Sequence, residues 1–211
     1  MNKKGILIVV SGFSGSGKGT LMKELLSRYP DTYALSISAT TRSPREGEAH
    51  GREYFFISKD EFEKMIAKGE LIEYARYVEN YYGTPREYVE KMLDEGKDVI
   101  LEIEIQGALK VKKAFPDTLL LFVTPPNATE LKKRLVGRGT ETLEIIKSRL
   151  DRACEEAEGM DSYDYLIVND DLNACVEKMH EIIQGEHHRS FRNEAFMKDI
   201  KEDLERLKGE N

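Results

Sequence analysis

Near the start of the chain, Gly12-Phe13-Ser14-Gly15-Ser16-Gly17-Lys18-Gly19-Thr20 combines residue types that hold a polyphosphate. The spacing is G-x-x-x-x-G-K, in which glycines let the backbone curl until successive N–H groups point inward. A helix beginning at the end of such a loop adds favourable potential for an anion, and Lys18 is placed to reach the β- and γ-phosphates. A strict pattern has Ser or Thr directly after the lysine; here Gly19 stands there and the hydroxyl follows at Thr20. Glycine- and serine-rich turns also join strands to helices without binding anything. The lysine placement, with an apolar strand before and a helical pattern after, favours the phosphate reading.

A second set of candidates lies further on. Arg42, Arg45 and Arg52 fall within eleven residues, beside Tyr54, and arginine grips phosphate through two parallel hydrogen bonds. The plainer reading of these arginines is a solvated cluster paired with Glu46, Glu48 and Glu53. Between 131 and 152 basic residues recur again. Lys132, Lys133, Lys147 and Arg152 fit an ordinary salt-bridged helix surface. Gly137 and Gly139 flank Arg138, as suits a segment that must bend. No Ser-His-Asp or Cys-His set accompanies these cations. Cys154 and Cys175 form no C-x-x-C pair, and the adjacent His187 and His188 would diverge on a helix, so neither a disulfide framework nor a metal cluster is indicated.

The whole constellation resembles the guanylate kinase family from about residue 5 to about 183. The resemblance is carried by Gly12–Thr20, by Ser38-Ala39-Thr40-Thr41-Arg42-Ser43-Pro44-Arg45 with Gly51 and Tyr54, and by Asn80-Tyr81-Tyr82-Gly83-Thr84. It continues through residues 101–107, Arg134-Leu135-Val136-Gly137-Arg138-Gly139-Thr140-Glu141 and Ile167-Val168-Asn169-Asp170-Asp171. It implies ATP as co-substrate on the loop residues Gly12, Ser14, Gly15, Ser16, Gly17, Lys18, Gly19 and Thr20, with Asn169 at the adenine, and GMP as acceptor. In the family, residues matching Arg42, Arg45, Tyr54 and Tyr82 hold the GMP phosphate, and those matching Ser38, Glu73, Thr84 and Glu104 read the base. Glu104 stands in a slot that in the family is often Asp. Arg134, Arg138 and Arg149 match lid arginines that close over the phosphates and, with Lys18 and Arg42, neutralise charge during transfer. Glu102 would position Mg2+ through water. The chemistry is consistent: guanine offers N1–H and N2–H2 donors beside an O6 acceptor, so its reader needs carboxylates and hydroxyls. The acceptor nitrogen N1 of adenine would instead face a carboxylate.

Two rival readings compete with this one. A non-catalytic guanylate-kinase-like interaction module typically lacks the intact phosphate loop, whereas Gly12, Gly17 and Lys18 are all present. A kinase for AMP or a pyrimidine nucleotide does not suit the paired carboxylates Glu73 and Glu104.

The elements that must position these residues follow from periodicity. Short apolar runs at 5–10, 98–105, 118–123 and 165–168 read as buried strands, alternating with helical patterns near 85–95, 107–114, 127–136 and 142–158. That alternation predicts an α/β fold with a parallel sheet, and the phosphate loop makes it a P-loop NTPase three-layer core. Residues 35–84 change character, with strand-like pieces at 53–57 and 71–77 around a helix at 59–67, and predict an inserted GMP-binding lobe. The expected division is therefore a core of 1–34, 85–126 and 156–211, the lobe at 35–84 and a helical lid at 127–155. Glu102 and Glu104, two apart, are expected on one face of the 98–105 strand. Phe196, Ile200, Leu204 and Leu207 predict an amphipathic tail helix that packs on the body or on a second subunit.

Composition bounds the rest. The 211 residues are 34% charged and 40% hydrophobic, which describes a folded globular chain of ordinary type. Thirty-nine acidic residues against 32 basic give −7, which disfavours nucleic acid and anionic membrane as partners. No apolar run approaches the roughly 18 residues of a membrane span, and the run at 6–10 is too short for a signal-peptide core, so a cytoplasmic location is expected. Whether the chain is a monomer or a homo-oligomer is left open by the sequence.

Overall fold

A computed structural model describes residues 4–77, 79–137 and 142–209. In chain order the elements are β1 (Leu7–Gly12), α1 (Lys18–Arg28), β2 (Tyr33–Leu35), β3 (Ala39–Thr40), β4 (Phe55–Phe56), α2 (Lys59–Lys68), β5 (Leu71–Tyr77), β6 (Asn80–Pro85), α3 (Arg86–Asp94), β7 (Asp98–Glu102), α4 (Ile105–Ala114), β8 (Leu119–Thr124), α5 (Ala128–Gly137), α6 (Leu143–Ala157), β9 (Tyr165–Val168), α7 (Leu172–Glu186) and α8 (Glu194–Gly209). The chain divides into two compact units, Met1–Asp170 and Asp171–Asn211.

The first unit is built on a five-stranded sheet in the order β2-β7-β1-β8-β9, parallel throughout. The central strands are continuous apolar runs because both faces are covered. Leu7 and Val9 pack with Val89 and Leu93 of α3 and with Ala108 and Val111 of α4. The alternating residues Ile8 and Val10 on the opposite face are just as fully buried. Asp98, itself buried, accepts the Ile6 amide at 2.8 Å and so closes the start of the sheet without an orphaned N–H. Further along the same layer Phe13 and Phe122 meet edge to face at 5.0 Å and are capped by Leu131 and Leu135 of α5 and Ile146 and Ala153 of α6.

A second sheet, β4-β3-β6-β5, belongs to the segment between β2 and α3. It mixes a parallel β3–β4 pair with antiparallel pairings of β6, and its own small core is Ala39, Phe62 and Leu71. Tyr81 stacks on Phe62 with ring centres 5.1 Å apart. The helix α2 is set by a capping box, in which the Ser58 hydroxyl accepts the Glu61 amide while Glu61 accepts the Ser58 amide at 2.8 Å.

One local expectation needed correction, and one element was not read from the sequence at all. The strand expected over 98–105 ends at Glu102, because Glu104 already accepts the first helical bond from the Ala108 amide and caps α4. The three-residue strand β2, pairing with β7, has no periodicity long enough to show in the sequence.

In the second unit the Asp171 carboxylate accepts the Ala174 amide at the start of α7, and Asn193 donates to the carbonyls of His187 and Arg189 before α8. The tail helix is present, with Phe196, Ile200, Leu204 and Leu207 exposed along it.

Candidate functional site

In the strand order, β1 lies between β7 and β8, and the chain departs to either side of it, so a crevice opens beyond the carboxyl ends of these strands. The phosphate loop and Glu102 occupy those ends. Gly12 leaves β1 at φ 149°, and a Cβ there would lie 2.0 Å from the Val123 carbonyl oxygen of β8, so the close approach of two strands excludes any side chain. Gly17 caps α1 in the left-handed region at φ 90°, where a Cβ would sit 2.5 Å from the Asn169 amide nitrogen. No side chain caps α1, which leaves its N-terminal turn suited to an anion.

Around this loop the cations are already gathered. The Lys18 ammonium donates to the carbonyls of Gly12 and Phe13. Arg149 of α6 donates to the Ser14 hydroxyl. Arg134 of α5 donates to Glu130 at 3.0 Å and to the Ser16 carbonyl at 3.4 Å. Asn169, 7% exposed after β9, donates to the same carbonyl at 2.8 Å and so braces the loop from below. The Ser16 hydroxyl is fully buried and has no hydrogen-bond partner among the described residues. Gly15, Gly19 and Thr20 complete the loop, Thr20 being exposed on the first turn of α1. Arg138 lies outside the described residues.

The arginines of the second sheet behave differently from one another. Arg42 sits half-buried beside the touching rings of Tyr54 and Phe56, 5.4 and 5.6 Å from their centres, and meets the Glu48 carboxylate through two bonds of 2.9 and 3.0 Å. Glu48 also accepts the Arg45 amide at 2.7 Å. The Arg42 bond and the Arg45 amide hold the Glu48 carboxyl below its ordinary range. Arg45 is exposed, and Arg52 is paired with Glu53 at 2.6 Å, as the surface reading had it. Tyr54 and Tyr82 meet ring to ring at 5.9 Å beside Arg42.

Next to this clamp is a cavity of about 870 Å³ lined by Ser38, Glu73, Tyr82, Glu102 and Glu104, with one of about 380 Å³ adjoining it at Ser38, Thr84 and Glu102. The fully buried Thr84 hydroxyl donates to Glu73 at 2.8 Å. Burial pushes the Glu73 carboxyl up from its ordinary 4.5, with the Thr84 bond and Lys110 pulling it back. Glu102 and Glu104 both reach the larger cavity although strand pairing has ended, and Ile103 between them lines the same cavity while packing, partly buried, against the core. Among the described residues no group of three or more acidic, histidine or cysteine side chains could hold a metal alone.

Three contributors were not singled out for the site by sequence reasoning. Glu48 was visible only as a surface partner for nearby arginines, yet it bonds to Arg42 inside the clamp. Arg152 makes the expected helical pair with Glu156 at 3.2 Å but also reaches Glu104 on another element. Glu156 lines the larger cavity as well. The spacing along α6 shows an i,i+4 pair; it carries no signal of what faces that pair across the cavity.

The sequence pattern of the family described as Guanylate kinase matches residues 4–186. The chain is 52% identical over 203 residues to a guanylate kinase of Bacillus anthracis, covering 96% of this chain and 99% of the relative. It is 52% identical over 187 residues to a guanylate kinase of Bacillus subtilis (strain 168), covering 89% and 92%. Among solved structures, that of guanylate kinase from Anaplasma phagocytophilum superposes with a TM-score of 0.70 at 30% identity, covering 90% of each chain.

Proposed function

We propose, from the premise that this chain belongs to the guanylate kinase family, a division of labour among its residues in the reaction of that family. The protein is an ATP:GMP phosphotransferase, which moves the γ-phosphate of ATP to GMP and gives ADP and GDP. The observation that carries the residue assignment is the buried Thr84–Glu73 pair facing a cavity beside the Arg42 clamp. A carboxylate that accepts hydrogen bonds, with an arginine held against aromatic rings nearby, suits a guanine on the one and its phosphate on the other.

In this reading Arg42, Arg45, Tyr54 and Tyr82 hold the phosphate of GMP, while Ser38, Glu73, Thr84 and Glu104 read its base. Gly12, Ser14, Gly15, Ser16, Gly17, Lys18, Gly19 and Thr20 cradle the ATP phosphates, and the unpartnered Ser16 hydroxyl supports a ligand oxygen in the loop. Asn169 fixes the Ser16–Gly17 turn and borders the adenine side. Residues 35–84 act as the acceptor lobe, 127–155 as the lid, and 1–34, 85–126 and 156–211 as the core. Free nucleotides are the only partners this reading needs, and they are those of the cytoplasm. No described helix is long and apolar enough to cross a membrane.

Phosphoryl transfer demands alignment and charge compensation, and the acceptor oxygen of GMP is already anionic at neutral pH, so no general base is required. Lys18 leaves the Gly12 and Phe13 carbonyls for the phosphates, and Arg134, Arg138 and Arg149 approach from the lid. Closure keeps water from intercepting the γ-phosphate. The residues present also fit Mg2+, which takes few protein ligands and keeps water: Glu102 offers an exposed carboxylate at the end of β7, and Thr20 a hydroxyl beyond Lys18. When bound, Mg2+ supplies positive charge to the ATP phosphates. A coupled assay across GMP, dGMP, AMP, UMP and CMP tests the base assignment: GMP is the strongly preferred ribonucleotide, and AMP phosphorylated as readily as GMP overturns it.

A further inference from the structure

Glu104 caps α4 with its backbone alone, its carboxylate making no capping bond, and its side chain is 70% exposed. A flexible carboxylate in that position has no fixed aim of its own. The neighbour that supplies one is Arg152 of α6, whose guanidinium donates through one terminal nitrogen to Oε2 of Glu104. Arg152 is itself anchored: its Nε donates to Glu156, one turn further along α6 and only 18% exposed at the side chain, at 3.2 Å. One edge of the guanidinium is thus held by the helix and the other is presented across the cavity. The charges around it need this cation. Burial pushes the Glu156 carboxyl up, Arg152 pulls it back and Glu104 adds to the push, so without Arg152 the two carboxylates repel. Among the described residues lining this cavity, Arg76 is the other cation beside Arg152.

We propose that Arg152 is a positioning residue for acceptor specificity, holding Glu104 by one oxygen so that the other accepts from the 2-amino group of guanine. This rests on the reading of Glu104 as a base reader given above. A pair this exposed contributes little to folding. Its work is to fix an acceptor at one point, and the substrates that report it are GMP and IMP, which share N1–H and O6 and differ only in the 2-amino group. The pair also joins α6 to the acceptor pocket, so occupancy of the base site bears on the helix that carries Arg149.

The test is steady-state kinetics with GMP and IMP on the full chain and on the Arg152→Ala, Arg152→Gln, Glu104→Ala and Arg152→Ala/Glu104→Ala variants, with melting curves confirming that each is folded. The expected result is a fall of about tenfold in kcat/KM for GMP in Arg152→Ala and Arg152→Gln, carried mostly by KM. The value for IMP changes less than about twofold, so the GMP to IMP ratio drops about tenfold, and the double variant is no worse than Glu104→Ala. Equal losses for both substrates mean a merely structural role and overturn the proposal. A ratio that falls in Glu104→Ala but holds in both Arg152 variants overturns it too, leaving the base reading intact. A ratio unchanged in Glu104→Ala overturns the base reading and the proposal with it.

Discussion

Glu73 carries two opposing demands at once, since its carboxylate must be charged to accept from guanine and yet is buried against Thr84. Burial raises its folded-state pKa above 4.5, so the folded state binds the proton more tightly than the unfolded chain does. Its contribution to stability is therefore fully present below the ordinary carboxylate value and is lost as pH rises through the raised one. Glu73→Gln keeps an acceptor for Thr84 and has no charge to desolvate, so at pH 7 it is expected to melt no lower than the parent. In the same variant kcat/KM for GMP falls roughly ten- to a hundredfold, matching about 1.5–3 kcal/mol for a lost charge-assisted bond. For the parent enzyme, KM for GMP rises as pH falls toward the Glu73 range, beginning above 4.5; the variant shares the titration of GMP itself, so subtracting its profile isolates Glu73. Lys18 makes a simpler case. Its ammonium rests on two loop carbonyls, and Lys18→Ala is expected to retain the fold by circular dichroism while turnover drops at least a hundredfold. Turnover like the parent's would remove Lys18 from the mechanism.

Among elements, the loop between β1 and α1 is the one whose shape is most tightly determined. Gly17 has a left-handed backbone, and the space a Cβ would take is filled by the Asn169 amide, which in turn holds the Ser16 carbonyl. Gly17→Ala is expected to cost about 1–3 kcal/mol of stability through backbone strain, read as a lower Tm. Because Asn169 must move aside, KM for ATP rises more than KM for GMP. Asn169→Ala in the same background relieves the collision but not the strain, so the two substitutions combine with less than additive effect on Tm. Strict additivity would show that the two residues do not share one brace. The helices over the loop tell a related story: α5 and α6 are held by Leu131, Leu135, Ile146 and Ala153 on the Phe13–Phe122 pair, which places Arg134 and Arg149 by packing and leaves only their tips to chemistry.

For the molecule as a whole, substrate binding and folding are linked. A ligand present at about 100 times its Kd stabilises by about 2.7 kcal/mol, so GMP alone is expected to raise Tm measurably without ATP. Arg42→Ala, which removes the guanidinium packed beside Tyr54 and Phe56, is expected to abolish that shift at the same GMP concentration; a shift of undiminished size would place the GMP phosphate elsewhere. Much of this protein was legible without coordinates, for a physical reason. Strands buried on both faces must be unbroken apolar runs, and the runs near 5–10 and 118–123 fall on β1 and β8, while the run at 165–168 falls on the edge strand β9, where Ile167 alone is buried. A loop that wraps phosphate must have glycines where Cβ atoms collide, and Gly12 and Gly17 stand at such points. These constraints act between chain neighbours or repeat along one element, so they leave a mark in the order of residues. What the order of residues did not decide was where the 98–105 strand stops, that Glu48 holds Arg42, and that Arg152 serves Glu104 rather than the helix surface alone. The strand stops on a backbone bond between Glu104 and Ala108, and Glu48 lies only six residues from Arg42, but Arg152 and Glu104 are brought together from different elements, 48 residues apart. Such a meeting leaves no period and no spacing to read, because only the packing of the sheet and its helices sets the distance between them.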